Sequence, residues 1–161
     1  MKRRRHVKNR AMRLIRLWTY ADAVKAVPYY RSLTNSLRDH WLELQSKTLA
    51  AKRLQDVRRP TRREMIALEE TQKDLGEAED NFNSALQELM RMDVFLLDPV
   101  HGIALIPFQQ EDDLAWYVFD LFDEHGLVSW RYHKDPLETR RPMPQERQAD
   151  PPLFISAAGA V

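Results

Sequence analysis

Eight positions narrow what this chain can fold into more than any others: Leu68, Thr71, Leu75, Ala78, Phe82, Ala85, Leu89 and Met92, spaced alternately by three and four residues. That period is the heptad seam of a helix packed lengthwise on another helix. Thr71, Ala78 and Ala85 are small, so the partner helix can approach closely. A partner lies just upstream. Tyr30, Leu33, Leu37, Trp41, Leu44, Thr48, Ala51 and Leu54 recur at the same intervals and form one continuous face.

Between the two runs stand Arg58, Arg59 and Pro60. Proline ends the first helix because it donates no amide hydrogen and clashes with the preceding turn. Thr61 and Glu64 then read as a capping box for the second. A helix of thirty residues is about 45 Å long, and two joined by so short a connection lie antiparallel. Upstream, Thr19 and Asp22 suggest another N-cap, with Trp18 and Ala23 spaced as a hydrophobic staple. Pro28 makes Tyr20–Val27 either a short helix or the first turns of a kinked one.

After Met92 the period changes. Val94–Leu97, Ile103–Phe108, Leu114–Phe122 and Leu127–Tyr132 are short, rich in β-branched and aromatic residues, and separated by turn residues. They predict a meander of three or four antiparallel strands. In the third, Leu114, Trp116, Val118 and Phe122 face one way, and Ala115, Tyr117, Phe119 and Leu121 the other. A strand apolar on both faces needs cover on both, and one hairpin supplies one cover. The surplus predicts self-association. The fold class is α+β: a long antiparallel, coiled-coil-like helical hairpin followed by a small antiparallel sheet.

The organisation expected is a basic arm over 1–13 without fixed structure, a single domain over 14–133 and a proline-rich extended tail over 134–161. Within the domain, helices are expected at about 19–58 and 61–92, and strands within about 94–132. Eight of the 25 Lys and Arg residues fall in the first 16 positions, leaving 17 against 24 acidic side chains in the rest. The body is acidic and its leading arm basic. Lys2, Arg3, Arg4, Arg5, Lys8 and Arg10 could neutralise nucleic-acid phosphates, helped by Arg58, Arg59, Arg62 and Arg63 at the hairpin tip. No aromatic residue interleaves with the arm, which disfavours that partner. The chain has no cysteine, which excludes disulfides, thiolate metal sites and thiol nucleophiles and fits a reducing, cytoplasmic setting. No secretory leader or membrane span is expected.

The densest polar and aromatic segment runs from Trp130 to Pro142. Arg140 and Arg141 could clamp a carboxylate or phosphate, with Trp130, Arg131 and Asp135 around them and His133 as acid–base group or ligand. Equally, Arg–Asp and Arg–Glu pairs could tie down the strand end; the neighbouring acids favour that reading. His101, His125 and His133 lie near Asp98, Asp123, Glu124 and Asp135, yet none shows a metal-ligand spacing. Four glycines, Gly76, Gly102, Gly126 and Gly159, assemble neither a Walker nor a dinucleotide fingerprint, and no serine sits in a Gly-x-Ser-x-Gly elbow. No metal and no cofactor are expected.

Leu17-Trp18-Thr19-Tyr20-Ala21-Asp22-Ala23 and then Val27-Pro28-Tyr29 resemble the opening of the bacterial family catalogued as domain of unknown function 2203. The likeness extends to Val94–Leu97, Gly102, Ile106-Pro107-Phe108, Trp116, Trp130, His133 and Arg141-Pro142, and spans about 17–143. The family usually has Cys-Trp and Gly-Glu after the aromatic strand, where this chain has Val118-Phe119 and Asp123-Glu124. The resemblance implies the architecture and no activity. The residues together favour a non-enzymatic, self-associating assembly or adaptor protein, a dimer or higher oligomer with a further protein partner in view. The alternatives are a small-molecule or metal-binding protein or enzyme acting at Trp130–Arg141, and a nucleic-acid-associated protein acting through its arm.

Overall fold

The computed structural model describes residues 14–144. The basic arm, including Lys2, Arg3, Arg4, Arg5, Lys8 and Arg10, and the tail beyond Pro144 lie outside the described residues. Three helices, α1 (Tyr20–Lys25), α2 (Val27–Gln55) and α3 (Arg62–Arg91), precede five strands: β1 (Phe95–Asp98), β2 (Ile103–Gln110), β3 (Asp113–Asp120), β4 (Leu127–Tyr132) and β5 (Arg141–Pro142).

Local chemistry sets the helix boundaries. The Thr19 hydroxyl accepts from the Asp22 amide at the start of α1. Pro28 sits in the first turn of α2, where a missing amide hydrogen costs nothing. Of the two readings at Pro28 the short separate helix is the one found: the stretch expected as helix from about 19 to 58 is two helices, divided at Ala26. At α3 both halves of the capping box form between Thr61 and Glu64. The helix ends in a Schellman turn: Asp93 takes a φ of 58°, its amide donates to Met90, and the Val94 amide donates to Leu89.

The sheet is an antiparallel meander in the order β1-β2-β3-β4-β5. It has five strands, not three or four. The added one pairs Arg141 with Trp130 and Pro142 with Ser129 at an edge, where proline is tolerated. The sequence region assigned to the tail thus contains the fifth strand of the sheet. β3 ends at Asp120, earlier than the period suggests, and Phe122 stands 69% exposed in the following turn.

One sheet face packs on the hairpin base. Ala104, Ile106, Phe108, Tyr117 and Phe119 meet Tyr30, Leu33, Leu37 and Leu89 there. Arg31 rivets α2 to the β3–β4 connection, donating to the carbonyls of Leu121, Asp123 and Glu124 at 2.7, 2.9 and 3.1 Å. The second face is also closed within the chain, contrary to the expected surplus. Leu105, Trp116 and Val118 are buried, with Ile15, Phe95 and Leu97 packed against them. Ile15 adds to this cover from upstream, in a stretch held by the Trp18 amide donating to the Pro107 carbonyl and the Arg16 amide to the Asp93 carboxylate.

Beyond Leu37 the helices leave the core shared with the sheet. Leu37 to Gln55 is roughly 27 Å of paired helix. Here Ala51 and Ala78 are buried, and Leu44, Leu54, Leu68 and Leu75 only half-buried.

Candidate functional site

The Trp130–Arg141 segment leaves β4, loops out and returns as β5. Asp135 is its centre. Its carboxylate accepts from Arg141 Nε at 2.8 Å and Nη2 at 3.0 Å, and from the Tyr132 amide at 2.9 Å. Arg141, above all, and then the Tyr132 amide hold this carboxyl well below the usual carboxylate range, at about 2. The guanidinium of Arg141 also lies over the rings of Trp130 and Tyr132, 5.5 and 5.0 Å from their centroids. Arg131, buried on the second face, donates to the Asp135 carbonyl.

The geometry therefore brings Trp130, Arg131, Asp135 and Arg141 into one cluster whose charges and donors largely meet one another. Arg140 points elsewhere and closes its own turn, donating to the carbonyls of Leu137 and Thr139. His133 stands apart as well. Trp116 Nε1 donates to its Nδ1 at 3.1 Å, which fixes that ring nitrogen as the acceptor.

His101 and His125 serve turns. Asp98 accepts from the amides of Val100 and His101 and pairs with His101 Nδ1 at 2.7 Å. These contacts, the His101 amide first, lower its pKa. The amide of His125 donates to Asp123. Among the described residues no three His, Asp or Glu side chains converge as a metal site.

Two open grooves flank Phe122. One, about 730 Å³, runs along α2 between Val27, Pro28, Ser32 and Leu121. The other, about 590 Å³, lies at the loop's far end between Leu97, Ile103, Leu137, Arg140 and His101. Neither groove is legible in the sequence, because each joins turns from distant parts of the chain. Leu42 and Leu49 are likewise missing from the expected faces, since they belong to α2 and not to its seam; their seven-residue spacing is the one signal that marks them.

Among the described residues no helix is long and apolar enough to cross a membrane. No family model matches the chain, and no curated protein or solved structure matches it either.

Proposed function

We propose that this protein is a non-enzymatic assembly or adaptor protein that associates with itself through its helical hairpin. The observation carrying this reading is the distal hairpin: two long helices extend past the core they share with the sheet. Their seam leucines stay half-buried, while Leu42 and Leu49 face solvent. A two-helix pair leaves much of its apolar surface accessible, and association into a larger bundle covers it. The arginines that could take an anionic ligand also support the reading, since Arg141 is spent on Asp135 and Arg140 on its own turn. Because Leu105, Trp116 and Val118 on the sheet's second face are buried within the chain, this reading places the association on the hairpin.

Kinship with domain of unknown function 2203 belongs to the same proposal. The Trp, His and Arg-Pro elements behind that resemblance are here the Trp116–His133 bond and the Arg141–Asp135 clamp.

Native mass spectrometry of untagged protein, with elemental analysis of the same sample, tests the reading. A homo-oligomer without added mass is the expected result; a strict monomer overturns it. A stoichiometric metal or bound small molecule favours a second reading, ligand binding in the groove between His101 and Arg140.

A further inference from the structure

Leu42 and Leu49 are 40% and 56% exposed. Each follows a seam leucine, Leu37 or Leu44, by five positions, which turns it about 140° away from the seam. They make a solvent-facing apolar stripe on the outer side of α2. Toward the sheet the same stripe continues through Asp39 and Asn35 to Ser32, in the wall of the groove beside Phe122. Toward the tip it continues through Lys52 and Arg53.

The two ends of this stripe differ in charge. Asp39, Asp120, Asp123 and Glu124 stand at the sheet end. The arginines there are already engaged, Arg31 by three carbonyls and Arg38 by the Val100 carbonyl and the Phe122 ring. At the tip, Arg58, Arg59, Arg62 and Arg63 are exposed and form no ion pair among the described residues. Arg62 and Arg63 occupy the first turn of α3, where the helix dipole disfavours cations. The nearby Glu64 is held by Thr61. The stripe therefore has a basic end, where four arginines outnumber Asp56 and form no ion pair among the described residues, an acidic end and leucines between them.

We propose that a second copy of this chain packs antiparallel along the outer stripe of α2. Leu42 of each copy lies against Leu49 of the other, and each basic tip lies beside the other's acidic rim at Phe122. This placement rests on the self-association proposed above and gives it a register. With Leu42 opposite Leu49, the two-fold axis falls between Gln45 and Ser46. Asp39 then faces Lys52 of the second copy, and the groove wall at Ser32, beside Glu124, lies toward the end of its α2 and the basic tip beyond. One patch is used twice, so the contact closes as a dimer and does not propagate. Two leucines a side make a small apolar centre, so the opposed charges set orientation and much of the salt dependence.

The full-length chain has no cysteine, so Ser46→Cys places a single thiol beside the proposed axis. Oxidation is expected to give an interchain disulfide in Ser46→Cys but not in Lys73→Cys, on the outer side of α3. Native mass spectrometry is expected to show Leu49→Glu raising the dimer dissociation constant at least about tenfold, since a carboxylate would then press on leucine. The helical signal should not move, nor should the melting temperature measured at concentrations where both proteins are monomeric. Asp39→Lys should weaken the dimer, and adding Lys52→Glu should restore it. A monomer at every concentration overturns both the self-association and this register. A dimer indifferent to Leu49→Glu, or cross-linked through Lys73→Cys instead of Ser46→Cys, overturns the register and leaves self-association standing.

Discussion

Arg141 grips Asp135 with two hydrogen bonds, Nε at 2.8 Å and Nη2 at 3.0 Å, within the loop that folds the last edge strand onto the sheet. The planar guanidinium matches both carboxylate oxygens, which a lysine cannot do. The pair also pins the loop through the Tyr132 amide, so one carboxylate ties β4, the loop and β5 together.

That pair has a pH signature. The Asp135 carboxyl is lowered to about 2, mainly by Arg141, from about 3.9 in an unfolded chain. A depressed folded-state pKa contributes stability above the unfolded value, and that contribution is lost as pH falls through the folded one. Wild type should therefore exceed Asp135→Asn in stability near neutral pH, with the gap closing between about pH 4 and 2. Urea denaturation of both proteins across that window measures it; a gap that does not narrow on acidification refutes the assignment. Arg141→Lys should keep only part of the gap.

Tyr30 is fully buried between Trp18 and Phe119, and its hydroxyl finds no partner among the described residues. Burial raises its pKa above that of a free phenol. An unpaired buried hydroxyl carries a desolvation penalty, so Tyr30→Phe should hold or raise stability, by up to about 1 kcal/mol. Tyr30→Ala should cost about 3–5 kcal/mol through the cavity it leaves. Thermal or urea unfolding compares the three proteins. A clear loss in Tyr30→Phe would mean that the hydroxyl has a partner, such as a buried water.

Much of this fold was legible because it is written locally. The three-and-four spacing from Leu68 to Met92 requires nothing beyond helix geometry, and the Thr61–Glu64 box is complete within four residues. What was missed depends on contacts between distant segments. Arg141–Pro142 has no alternation of its own and becomes a strand because the Asp135 loop returns it to Trp130. The second sheet face looked uncovered because Ile15 lies far upstream, in a stretch without a hydrophobic period. At the candidate segment, residue types showed that arginines and acids were present. Only the folded chain shows that Arg141 meets Asp135 while Arg140 turns to carbonyls.

Arg31 links distant segments in the same way. Its guanidinium donates to three carbonyls of the β3–β4 connection from a position early in α2. Arg31→Met keeps most of the aliphatic stem and leaves those acceptors without their donor. Hydrogen bonds from charged groups contribute about 1.5–3 kcal/mol, so a loss of about 2 kcal/mol is expected. Hydrogen exchange should localise the effect, with faster exchange at the Leu127 and Gly126 amides than in the hairpin. Uniform loosening of the whole chain would contradict a local rivet.

Three glycines carry opposite expectations, set by backbone and space. Gly102 has a φ of +66°, and a Cβ there would lie 2.5 Å from Leu121 Cβ. A left-handed backbone and a clash with a side chain's first carbon leave no inexpensive adjustment, so Gly102→Ala should cost roughly 3 kcal/mol or more. Gly126 combines a φ of +78° with approaches of 3.0 Å to Phe119 and Val27 side chains, and its replacement should be milder because a ring edge and a methyl can shift. Gly76 lies inside α3, and a methyl group added there would meet nothing within 4 Å. Alanine at that position removes backbone freedom from the unfolded chain and adds no contact, so Gly76→Ala should stabilise by about 0.5–1 kcal/mol. For a chain of this size that is a rise of about 2–4 °C per kcal/mol in melting temperature. Calorimetry on the three variants sets the order: Gly76→Ala above wild type, Gly126→Ala below it, and Gly102→Ala lowest. If Gly76→Ala fell below wild type, the outer face of α3 would have to be covered in solution at that point, and the dimer would run along α3 instead of α2.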